Sequence, residues 1–165
     1  MSMIVYLREA TLTDVSGLAS DPSKLGDFMF AARPDGSDPV DFDKAWHALH
    51  FMLTGESGYS DSPLSVLTTT DDHLRGTDEF GLGGYWLIES DRVRAFANEL
   101  TAISDEQLAS RYDPQAMLAA HIYMGDVFAD EGNEALPYVM QGVVELRKLA
   151  ARAAGAGDSI VGCMM

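Results

Sequence analysis

Apolar positions along this chain fall into two rhythms, short unbroken runs and three-to-four spacing, and each predicts a kind of element. Met3 to Arg8 carries the run Ile4-Val5-Tyr6-Leu7, rich in β formers, and reads as a strand. Tyr85-Trp86-Leu87-Ile88 is a second such run, and Ser159 to Met164 closes the chain as a third. Between them the helical spacing takes over. From Asp41 to Leu53 the residues Phe42, Trp46, Leu49 and Leu53 form one apolar stripe, and Gly55 is placed to end that helix. Leu136 to Ala154 is the longest helix, with Val139, Val143, Leu146 and Leu149 or Ala150 on one side and Gly155 and Gly157 to stop it.

Shorter helices are marked by their caps. Thr13 and Asp14 open one that fades at Ser20, and Asp21-Pro22 opens one carrying Leu25, Phe28 and Met29. Ser62-Pro63 starts a short helix through Leu67. Ser90 and Asp91 begin a helix that aligns Val93, Phe96, Ala97 and Leu100. Ser104 and Gln107 have capping-box spacing for a helix ending near Tyr112, and Asp113-Pro114 opens another carrying Met117, Leu118 and His121. Ala32–Val40, Thr68–Gly84 and Gly125–Asn133 are polar, glycine-containing or acidic and read as loops. The terminal strands can pair in one small sheet with the helices packed on it. The expectation is a single compact α+β domain over residues 1–165.

Composition adds bounds. At 165 residues the chain is one domain long, and 47% hydrophobic with 9% aromatic residues is too apolar for a disordered acidic tail. A net charge of −15 argues against nucleic acid or an anionic membrane as partner, because both are held through Lys and Arg. The lone cysteine, Cys163, excludes an intramolecular disulfide, and the N-terminus has neither a positive region nor the apolar run of a signal peptide. The corresponding expectation is the cytoplasm.

The segment Asp43-Lys44-Ala45-Trp46-His47-Ala48-Leu49-His50-Phe51-Met52-Leu53-Thr54-Gly55 resembles the signature of the YfbM-like bacterial family, a domain of unknown function. The Met3-Ile4 start, Pro63-Leu64-Ser65 and the late Ile122-Tyr123 extend the resemblance along the whole chain, with Met124 standing where the family pattern has proline. The resemblance implies a cytosolic α+β protein and no particular activity. Asp43 and His50 belong to the family-like pattern; His47 does not.

The same helix holds the sharpest chemical candidates. Asp43, His47 and His50 lie at i, i+4 and i+7, a spacing that places a carboxylate and two imidazoles along one side for a divalent metal. The plainer reading has Asp43 at the helix N-terminus and His50 in a buried hydrogen bond beside Trp46. His50 with Thr54, Tyr123 or a distant carboxylate is a candidate acid–base pair, although Thr54-Gly55 also reads as an ordinary helix end. Cys163 reads as packing, there is no nucleophile elbow, and Gly81-Leu82-Gly83-Gly84 precedes a strand, which is wrong for a phosphate loop. No cofactor is called for. Asp35, Asp38, Asp41, Asp71, Asp72, Asp78, Asp126, Asp130, Glu131 and Glu134 lie in or beside predicted loops, with Tyr59, Phe80, Tyr85 and Trp86 as aromatic anchors next to them.

Three functions follow as expectations. The leading one is a non-catalytic binding protein whose acidic face meets a basic protein. A second is a small hydrolase or lyase using His50 with Asp43, with or without a metal. A third is a small-molecule binder with Trp46, His50 and Tyr123 around a pocket.

Overall fold

The computed structural model describes residues 2–76 and 83–165. The terminal apolar runs become β1 (Val5–Ala10) and β4 (Ser159–Met164), paired antiparallel from Val5 opposite Met164 to Ala10 opposite Ser159. They are the two central strands. β2 (Val40–Asp41) pairs with the free edge of β1, and β3 (Tyr85–Ile88) pairs with the far edge of β4, so the sheet order is β2-β1-β4-β3 with every pairing antiparallel. The expected α+β architecture, with both terminal strands in one small sheet, is what the chain adopts.

Helices cover both faces. After β1 come α1 (Leu12–Ser20) and α2 (Leu25–Phe30), whose Leu18, Leu25 and Met29 pack with Ala10, Tyr85, Val161 and Cys163 on one face of the sheet. The opposite face carries Val5, Leu7, Trp86, Ile88 and Ile160. On it pack α3 (Trp46–Thr54), α4 (Ser90–Thr101) and the long α8 (Leu136–Ala156), together with Leu108 of α5 (Asp105–Ala109), Met117 of α6 (Pro114–Ala119) and Phe128 of α7 (Gly125–Glu131). Strand alternation sorts the two sets, since successive side chains point to opposite faces. Opposite Trp86 stands Gly162, where a Cβ would come within 2.2 Å of the indole, so the ring lies directly on the β4 backbone.

Several local expectations need correction. The helix expected from Asp41 begins only at Trp46, because Val40 and Asp41 are recruited by the open edge of β1 and Phe42 N–H donates to Val5 O at 3.0 Å. Asp43, the first residue of a 3-10 turn over Asp43–Ala45, adopts a positive φ of 44°, which an α-helix does not accommodate. The α1 cap is Thr11, not Thr13, in a capping box with Asp14. Ser62 to Leu67 forms turns instead of a helix, with the Ser62 and Ser65 hydroxyls accepting from nearby backbone N–H groups. Gly125 to Glu131, read as connecting chain, is helix α7, while Gly155 lies inside α8 and only Gly157 ends it, at φ 71°. Within the expected loop from Thr68 to Gly84, Asp71–His73 forms a short 3-10 turn and Arg75 pairs with Tyr85; residues 77–82, and with them Asp78, Phe80 and Gly81, lie outside the described residues.

Candidate functional site

α3 positions most of the candidate side chains, and it divides them among three surroundings. At its start Trp46 is buried and donates its indole N–H to Met3 O at 3.1 Å, while Met3 N–H donates to the Tyr123 hydroxyl at 3.3 Å. Trp46 stacks on His47, with 4.6 Å between centroids, and faces Tyr123 at 6.2 Å. His47 Nδ1 accepts the Tyr123 backbone N–H at 2.9 Å, so Nε2 carries the proton and donates it to Ser57 O at 2.6 Å. Burial holds this imidazole below the ordinary histidine pKa, against the opposing pull of the Ser57 hydrogen bond. The turn it receives is strained: His121 and Met124 both have positive φ, 56° and 64°. Met124, where the family pattern has proline, therefore takes a left-handed conformation closed to proline.

One turn further on, His50 is fully buried. Its Nε2–H donates to Gly58 O at 2.7 Å, and Thr54 Oγ1, 3.3 Å from that nitrogen, donates to His50 O at 2.9 Å and accepts from Glu56 N–H at 3.1 Å. His50 Nδ1 has no hydrogen-bond partner among the described residues. Burial lowers this pKa too. The imidazole is closed off from solvent and holds the 55–58 turn through one nitrogen.

Asp43 belongs to the third surroundings. Its carboxylate accepts the Tyr138 hydroxyl of α8 at 2.7 Å, and its own N–H donates to Asp41 Oδ1 at 2.7 Å. The structure thus brings Trp46, His47 and Tyr123 together, joins His50 to Thr54, and gives Asp43 a different partner. Among the described residues no three His, Cys, Asp or Glu side chains group in a way that could hold a metal ion.

Where Asp43 meets α8, two adjoining hollows of about 330 and 570 Å³ form a groove, with Asp41 and Glu145 common to both. Asp35, Asp38, Asp41, Asp43 and Glu145 line it, and Phe42, Gly142 and the exposed Val144 supply apolar surface. Among the described residues Arg152 is the one lining cation; it is ion-paired with Glu9 at 3.2 Å, and Lys148 sits on Glu145 at 3.0 Å. Burial and the bond to Asp43 push the Tyr138 hydroxyl up to about 12. Sequence reasoning named the aspartates but missed the α8 half of this groove. Tyr138 and Val144 fall off the Val139–Val143–Leu146 stripe, and apolar residues on the polar side of a helix were the available signal. Of the expected aromatic anchors Tyr85 and Trp86 are core residues, and Asp126, Asp130 and Glu131 lie on α7 instead of a loop.

A four-stranded antiparallel sheet with helices on both faces and an α3 signature helix over its core defines a small α+β family. The chain belongs to the family described as Domain of unknown function (DUF1877), which matches residues 1–162. It is 27% identical over 135 residues to Protein YfbM of Escherichia coli (strain K12), covering 79% of this chain and 78% of that one. The crystal structure of a protein of unknown function, YfbM from Escherichia coli, superposes with a TM-score of 0.69 at 19% identity, over 100% of both chains, and shares the fold. No helix among the described residues is long and apolar enough to cross a membrane.

Proposed function

We propose that this chain is a non-catalytic binding protein that takes a basic, partly apolar segment of another protein in the groove between the 35–43 segment and α8. One observation carries the reading: five carboxylates surround a groove with exposed apolar surface, and its lining cation is already engaged by Glu9. Such a field draws a cationic partner in and orients it, while Val144 and the Tyr138 ring give it an apolar contact. The hydrolase reading has no comparable support, since His50 is sealed and Asp43 is bonded elsewhere.

Fluorescence anisotropy with a labelled Lys- and Leu-containing peptide tests this. Saturable binding that weakens with salt is expected, and Asp38→Lys with Glu145→Lys reduces it about tenfold or more. The control is Asp126→Lys with Asp130→Lys on α7, an equal charge change away from the groove. If both pairs weaken the peptide equally, only overall charge is at work and the groove assignment fails.

A further inference from the structure

A second region of the molecule, sharing no lining residue with the acidic groove, has the features of a small-molecule site. A hollow of about 320 Å³ opens against the start of α4, and another of about 430 Å³ lies against Trp46, Leu74 and Met164. The two share Tyr59, Thr68, Thr69 and Trp86 as a common wall, and their sizes fall in the range of ordinary ligand pockets. Their chemistry differs. The second is mostly aromatic and aliphatic. The first carries charges of both signs, Arg75 and Arg92 beside Asp72, Glu89 and Asp91.

Arg92 is held ready for a ligand. Its guanidinium donates to Ser62 O at 2.8 Å and lies 5.7 Å from the centre of the Tyr59 ring, whose other neighbour is the edge of His73 at 5.1 Å. It makes no ion pair among the described residues, so its remaining N–H groups are available in a fixed plane. In the common wall Thr68 is nine-tenths buried, and its hydroxyl has no hydrogen-bond partner among the described residues. Trp86 N–H, by contrast, is satisfied by Val66 O at 3.1 Å. An unpartnered buried hydroxyl is a cost that a bound polar group removes.

We propose that the paired hollows bind a small zwitterion carrying a flat apolar group, the chemical class of an aromatic α-amino acid. Its carboxylate meets Arg92 and Thr68, its ammonium meets the Asp72 and Asp91 carboxylates, and its ring occupies the hollow between Trp46 and Trp86. A purely anionic ligand faces three carboxylates and a purely cationic one faces two guanidiniums, whereas a zwitterion satisfies both signs.

The two tryptophans of the chain both line the apolar hollow, so their emission reports its occupancy directly. L-phenylalanine is titrated against 3-phenylpropionate, which lacks the ammonium, phenethylamine, which lacks the carboxylate, and L-alanine, which lacks the ring. A saturable change with L-phenylalanine, at least about tenfold weaker for each of the other three, is expected. Asp91→Asn, an exposed change in the first turn of α4, weakens L-phenylalanine and spares 3-phenylpropionate; Arg92→Gln weakens L-phenylalanine and spares phenethylamine. Thr68→Val guards against a mere folding effect: the free protein keeps or gains Tm because an orphan hydroxyl is removed, yet L-phenylalanine binds more weakly. No saturable change with L-phenylalanine, equal affinity for all four compounds, or indifference to all three substitutions overturns the proposal.

Discussion

The two faces of the sheet are held by different physics. The face under α3, α4 and α8 is an extended apolar core in which aromatic and aliphatic side chains interlock, and it is bound by burial and close packing. The face under α1 and α2 is thin, with Leu18, Leu25 and Met29 as its main apolar contributions, and at its centre stands a charge. Arg8 is 1% exposed, and its guanidinium donates to Phe28 O at 2.9 Å, Met29 O at 2.7 Å and Ala31 O at 3.1 Å, with Ser37 O as a fourth acceptor. Among the described residues no carboxylate pairs with it. Those first three carbonyls are the C-terminal end of α2, the negative end of its dipole, and they supply the compensation that a buried cation requires. One face therefore tolerates no added volume, and the other tolerates no lost hydrogen bond.

The largest expected effect comes from adding volume to the thick face. In Gly162→Ala the new Cβ meets Trp86 Cε2 at 2.2 Å, and the indole is pinned by its bond to Val66 O, so the ring or β4 must move. A loss of about 3 kcal/mol is expected, measured as a fall in the urea midpoint with an unchanged slope. A midpoint within error of the parent would mean that Trp86 is free to swing aside and that this face is looser than its packing indicates.

Removing the charge from the thin face breaks the other side of the comparison. Arg8→Met fills similar space but leaves four carbonyl acceptors without a donor, for an expected loss of about 2 kcal/mol. The damage is local, so amide exchange quickens across residues 31–39 before it does in α8. Arg8→Lys recovers less than half of the loss, because one ammonium cannot reach both the α2 terminus and Ser37 as a planar fork does. Uniform quickening across both faces would remove the distinction between them.

How far the sequence foretold this arrangement depended on whether the cause was local. The Ser104–Gln107 capping box, the Asp113-Pro114 helix start and Gly55 as a left-handed cap were legible because a few consecutive residues contain their whole physics. The short strand at Val40–Asp41 was not, because its reason is the unpaired edge of β1, far back in the chain. Helix α7 was masked by Gly125 and its acids, and it forms because Phe128 enters a core that the sequence does not display. The site followed the same rule. Asp43, Trp46, His50, Thr54 and Tyr123 could be named from residue type and spacing. That Asp43 answers to Tyr138, 95 positions away, and that His47 rather than His50 touches the Tyr123 turn, are long-range facts. Arg8 gave no sign at all of its burial, since a lone Arg after an apolar run reads as a strand end.

The smallest expected effect sharpens the comparison through the polar exceptions on the thick face, His47 and His50. Both are held neutral by burial, below the ordinary value of 6.5. As pH falls past 6.5 the unfolded chain takes up protons that the folded one refuses, so the histidine contribution is complete above 6.5 and is lost progressively below it. The carboxylates that the fold holds low, Asp21 and Asp35, lie beneath this window, whereas burial raises the Asp158 carboxyl, a shift that acts in the opposite sense to the histidines. His47→Asn keeps an acceptor for the Tyr123 N–H and cannot titrate, and His50→Gln keeps a donor for Gly58 O. Each variant starts lower at about pH 7.5 and loses less than the parent on going to about pH 5.5, read from urea midpoints at the two values. Protonation of His47 also removes the acceptor under the strained His121–Met124 turn, so that turn should gain amide exchange in mild acid while the thin face around Arg8 does not. Equal acid sensitivity of the parent and both variants would transfer the effect away from α3 and leave the two faces alike in their response to pH.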